Sequence, residues 1–85
     1  CMAIAIKRDV RDEIVRRLIN ELEYYGAIID RFRKKYGCSL EELEEKIERE
    51  GVPLDKHEIW EDSIEWRNAE EEADQLRKLL KELES

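Results

Sequence analysis

The stretch VRDEIVRRLINELEYYGAIIDRFRKKY, residues 10–36, decides how this chain folds. Its apolar residues Val15, Leu18, Leu22, Tyr25, Ile29, Phe32 and Tyr36 recur at alternating steps of three and four. That alternation holds one stripe of a helix toward one partner over many turns. Farther along, Ile59, Trp66, Ala69, Ala73, Leu76, Leu80 and Leu83 form a comparable stripe. Two such stripes in one chain read as a long helical hairpin.

The segments around them supply the stops and starts. Arg31, Arg33, Lys34 and Lys35 place positive charge where the helix dipole favours it, and Gly37 is a natural left-handed stop. Ser39-Leu40-Glu41-Glu42 has the form of a capping box, with Ser39 as cap and Glu42 reaching back to its amide. A short second helix follows, with Leu40, Leu43 and Ile47 on one face and Gly51 at its end. Val52-Pro53-Leu54 reads as a linker, and Asp55 as the cap of a third helix. At the other end, Asp9 reads as an N-cap with Asp12 and Glu13 in the first turn, behind an apolar lead-in, Ala3 to Ile6. That lead-in is a strand-like arm or an early helical turn. The predicted fold is all-α: helices over about 10–36, 40–50 and 56–84 in one domain spanning residues 2–85. Proline occurs once and glycine three times, and they read as marking helix ends. Cys1 precedes Met2 and reads as an added residue.

A lone hairpin of 85 residues buries little, and chains of this size usually need a staple or a second copy. Ile14, Ile19 and Ile28 widen the first stripe beyond what one neighbour covers. The expected answer is a homodimeric bundle, with Ile14, Leu18, Leu22, Tyr25 and Ile29 at the dimer interface.

Charged residues make up 46% of the chain, against roughly 25% in ordinary globular proteins. The net charge of −7 is uneven. Residues 1–37 carry 9 Lys+Arg and 6 Asp+Glu, a net +3; residues 38–85 carry 7 and 17, a net −10. General nucleic-acid binding needs clustered positive charge, so nucleic acid is not the expected partner. The one basic concentration, Lys7, Arg8, Arg11, Arg16 and Arg17, is interleaved with Asp9, Asp12 and Glu13. It suits intramolecular or interface pairing better than DNA. The expected partner is a basic protein on the acidic third helix, at Trp60, Glu61, Asp62, Ile64 and Glu65. Trp60 and Ile64 lie off the main stripe, and tryptophan is a frequent anchor of binding surfaces. Trp66, on the stripe, is expected in the core, and Asp62 interrupts that stripe.

Catalytic patterns are loose. Glu41-Glu42-Leu43-Glu44-Glu45 and Glu71-Glu72-Ala73-Asp74 match the EExxE and ExxD patterns of all-α nucleotide pyrophosphohydrolases, which hold magnesium with carboxylates. The leucines at 76, 80 and 83 set the buried seam, however, and turn Glu71 and Asp74 toward solvent. That hydrolase is the alternative reading. His57 and Glu61 are one turn apart, but stable zinc sites want three or four ligands. Cys38 lacks a partner histidine or a metal-type spacing. No metal, cofactor or catalytic residue is therefore assigned, and the chain is expected not to be an enzyme. A lone cysteine, no signal peptide and no apolar run near the roughly 18 residues of a membrane span make the expected setting cytoplasmic.

The run Lys35-Tyr36-Gly37-Cys38-Ser39-Leu40-Glu41-Glu42-Leu43-Glu44-Glu45, followed by a Trp-containing acidic helix, resembles small prokaryotic, archaeal-type helical proteins. Some of these resemble the antitoxin members of toxin–antitoxin pairs. The resemblance implies a non-enzymatic chain whose acidic half masks a basic toxin and whose other half supports dimerisation or operator binding. The chain lacks a ribbon-helix-helix or helix-turn-helix, which counts against operator binding.

Overall fold

The computed structural model describes the backbone of residues 2–51 and 57–84, and side chains over 10–51 and 57–84. Three helices follow in order: α1 over Met2–Tyr36, α2 over Leu40–Glu50 and α3 over His57–Glu84. The chain is all-α, as the two stripes require. α1 begins at Met2 rather than near Val10, so Asp9 lies inside the helix and does not cap it. Ala, Lys and Arg in the lead-in are good helix formers, and nothing there stops the helix from starting early. The linker and the expected cap at Asp55 lie outside the described residues.

α1 stops where Gly37 takes φ +66° and donates its N–H to Arg33 O at 2.8 Å, a conformation most L-residues avoid. Ser39 then caps α2, its Oγ accepting from Glu42 N at 3.2 Å. The return contact differs from the expected box: Glu42 Oε1 accepts from Ser39 Oγ at 3.1 Å rather than from its amide.

α1 and α3 run antiparallel. Lys35 meets Asp62, Arg31 meets Glu65 and Phe32 stacks on Trp66, so each step back along α1 is a step forward along α3. α2 packs chiefly on α3 at the closed end of the hairpin, giving an assembly 63 Å long and 18 Å across. Where three helices meet, burial is complete: Ile29, Phe32, Leu40, Leu43, Trp66, Ala69 and Ala73 form one cluster. Trp66 is fully buried, its ring 5.7 Å from Phe32 and 6.3 Å from Tyr36. Ala69 and Ala73 are buried in the same cluster, at 1% and 0% exposure. Toward the open end only two helices remain, and Val15, Leu18, Leu80 and Leu83 on the same stripes are only half-buried.

Gly26 corrects the expectation that every glycine marks a helix end, because it lies within α1. A Cβ built there meets nothing within 4 Å. Gly26→Ala is expected to stabilise the chain by about 0.5–1 kcal/mol through helix propensity and unfolded-state entropy. Thermal unfolding should then rise by about 2–8 °C, and an unchanged or lowered midpoint would count against a strain-free site.

Candidate functional site

Side chains of interest gather at the closed end, on the first three turns of α3. Asp62 sits on the apolar stripe yet is half-buried, because α1 ends opposite it with two donors. Lys35 Nζ donates to Asp62 Oδ2 at 2.6 Å and to Glu58 Oε1 at 2.7 Å, and the Tyr36 hydroxyl donates to the same Asp62 oxygen. Burial pushes the Asp62 carboxyl up, but hydrogen bonds from Lys35 and Tyr36, with the charges of Lys35 and Arg31, outweigh it and hold it below its ordinary value. Burial, aided by the bond to Asp62, pushes the Tyr36 phenol up to about 12. The same carboxylates, Asp62 first, raise the Lys35 ammonium. Asp62, expected as a partner contact, is therefore engaged inside the hairpin.

The remaining residues of that expected surface point outward. Trp60 is 46% exposed and Ile64 51%. They lie one turn apart on the face of α3 turned away from α1, where His57 stacks on Trp60 with ring centroids 5.9 Å apart. The Trp60 backbone is held from beneath, since the buried Ser63 hydroxyl donates to Trp60 O at 2.7 Å. Glu58, Glu61 and Glu65 are exposed, and Glu65 forms a loose pair with Arg31 at 3.7 Å. Arg67 makes a two-pronged contact with Glu44 that ties α2 to α3. The result is an acidic surface that presents a half-exposed tryptophan.

Of the expected dimer residues, Ile29 lies in the chain's own core, and Leu22 and Tyr25 pack against it. Leu18 is half-buried, and Ile14 alone of the five is exposed. The two hydrolase-like patterns meet at a cation: Arg67 lies beside Glu41 and Glu44 of the first and Glu71 of the second. Glu41, Glu42, Glu45, Glu71 and Asp74 are exposed, and Asp74 and Glu71 lie beside Lys78 and Arg67. Among the described residues, no three His, Cys, Asp or Glu side chains are placed to hold a metal ion. Cys38 is a free thiol, half-buried against the core. Sequence reading missed the role of Tyr36, although a stripe broken by Asp62 opposite a helix ending in Lys-Tyr carries the signal. No described helix is long and apolar enough to cross a membrane.

Fold and surface together define a small all-α helical hairpin with an open acidic face. The chain belongs to the Uncharacterized protein MJ0235 family, whose model matches residues 4–85. It is also 35% identical over 89 residues to Ras association domain-containing protein 8 of Mus musculus, a match covering 93% of this chain. The chain spans 21% of that protein's length. No solved structure matches it.

Proposed function

We propose that this chain is a non-enzymatic protein-interaction module that receives a basic partner on the acidic α2–α3 surface around Trp60. The observation that carries this reading is a tryptophan and an isoleucine left half-exposed on α3, inside the part of the chain that holds its net negative charge. Carboxylates there steer a positively charged partner, which acts mainly on the association rate. Trp60 and Ile64 supply the buried apolar area that holds the complex together. An antitoxin-like role, with the acidic half masking a basic toxin, is the narrower form of this reading, and a cytoplasmic setting goes with it.

The test is capture of proteins from the native host on the immobilised chain, followed by kinetics with the purified captured protein. A basic protein is expected, whose association slows as salt rises. Trp60→Ala should speed dissociation and weaken binding about 30-fold, on the order of 2 kcal/mol, without altering the fold. An acidic or salt-indifferent partner, or one that tolerates Trp60→Ala, would sink the proposal. So would magnesium-dependent hydrolysis of nucleoside triphosphates that is abolished by Glu42→Gln or Asp74→Asn.

A further inference from the structure

A second stripe runs along α1, about a quarter-turn round from the one that faces α3. Val10, Ile14, Arg17, Glu21, Tyr24 and Ile28 follow at alternating steps of four and three, the spacing of a helix–helix seam. The chain itself leaves it open: Val10 is 51% exposed, Ile14 44% and Tyr24 63%. Arg17 and Glu21 are exposed as well, and Ile28 is half-buried. The stripe continues into Arg31 and Lys35, which reach Glu65 and Glu58 of α3. It therefore lies on the flank where α3 presents Glu58, Glu65, Glu72 and, one heptad farther, the exposed Leu79. α2 does not cover this flank, because it reaches α3 from the other side through Glu44 and Arg67.

Run backwards, the stripe is its own complement. Turned end for end about the level of residue 19, Val10 falls opposite Ile28, Ile14 opposite Tyr24 and Arg17 opposite Glu21. Apolar side chains land on apolar ones and a cation lands on a carboxylate, and a two-fold axis repeats every contact. Such self-complementarity is what an isologous interface requires. Arg17 has only a loose, exposed contact with Glu13 at 3.8 Å to give up, and such pairs contribute little.

Charge also selects a second copy over a basic partner on this half of the hairpin. Residues 10–24 carry three Lys+Arg and four Asp+Glu, and residues 73–84 carry three of each. Residues 25–72 carry 8 and 15, which accounts for the whole net charge of −7. Two copies therefore meet over a nearly neutral surface. The antiparallel arrangement sends their acidic closed ends to opposite ends of the assembly, where repulsion is screened. Extending the α1–α3 register puts Leu79 level with residue 19, beside the same axis.

We propose that the chain forms an antiparallel homodimer in which the two α1 helices pack along this stripe, Arg17 of each copy pairing with Glu21 of the other. This goes beyond the partner-binding surface and uses different residues, so either can fail without the other. Sedimentation equilibrium of the intact chain should give twice its 10.3 kDa. Arg17→Glu alone and Glu21→Arg alone should each weaken the dimer about tenfold or more, because two opposed pairs become like-charged. Mixed in equal amounts, the two variants should dimerise again, each supplying the charge that the other lacks. Arg16→Glu, with the same charge change off the stripe, should leave the dimer intact. Circular dichroism checks that every variant remains helical. A monomeric wild type at high micromolar concentration overturns the proposal, as does a dimer indifferent to both single variants or a mixture that stays monomeric.

Discussion

Trp66→Ala is expected to remove most of the stability of this chain. The side chain is completely buried, stacked on Phe32 and Tyr36 and surrounded by the cluster that joins all three helices. Its Nε1 donates to Glu70 Oε1 at 3.3 Å, so even the polar atom of the ring has a partner. Truncating a buried tryptophan costs about 3–5 kcal/mol, from lost transfer free energy plus the cavity left behind. Small domains have only about 5–15 kcal/mol to lose, and two-helix packing over half the length gives little reserve. Urea unfolding followed by circular dichroism should show the midpoint collapse. Trp66→Phe, which keeps the stack on Phe32, should lose distinctly less. A loss under about 1 kcal/mol for the alanine variant would mean that stability does not reside in the three-helix end.

That concentration of the core at one end marks what the sequence made legible. The stripes through Ile29, Phe32, Trp66, Ala69 and Ala73 follow directly from helical spacing, and each of these residues is buried. Gly37 and Ser39 announce their turn because each has a backbone or capping role that few residues fill. The start of α1 was not legible. Asp9 has the chemistry of a cap, but good helix formers before it let the helix begin seven residues earlier. Nor does spacing alone say which side of a wide apolar band finds a neighbour within the chain. Leu22, Tyr25 and Ile29 are engaged in the hairpin, whereas Val10, Ile14 and Tyr24 are left exposed. That division needs the position of α3, and it separates the chain's own core from the stripe open to a second copy.

Asp62 carries the other large expected effect, because it places a charge on an otherwise apolar seam. Its carboxylate accepts from Lys35 and Tyr36, so Asp62→Ala leaves a half-buried phenol without its acceptor and is expected to cost about 1–3 kcal/mol. The pH dependence follows from the two shifts. The folded carboxyl lies below its ordinary 3.8, so the unfolded chain binds the proton first as pH falls. The stability contributed by Asp62 is complete above that value and is lost as pH drops through the lower, folded one. The Tyr36 phenol is shifted the other way, from 10.0 to about 12. Its contribution is complete below pH 10 and is lost as pH rises toward 12. The wild type should thus show a stability plateau with an acid and an alkaline limb. Asp62→Asn should flatten the acid limb, because the titrating group is gone. It should only shrink the alkaline limb, because burial of Tyr36 remains its leading cause. Denaturant midpoints measured from pH 2 to pH 11 decide the matter. An acid limb that survives Asp62→Asn unchanged would place the titrating carboxylate elsewhere and reduce this network to a surface ornament of the hairpin.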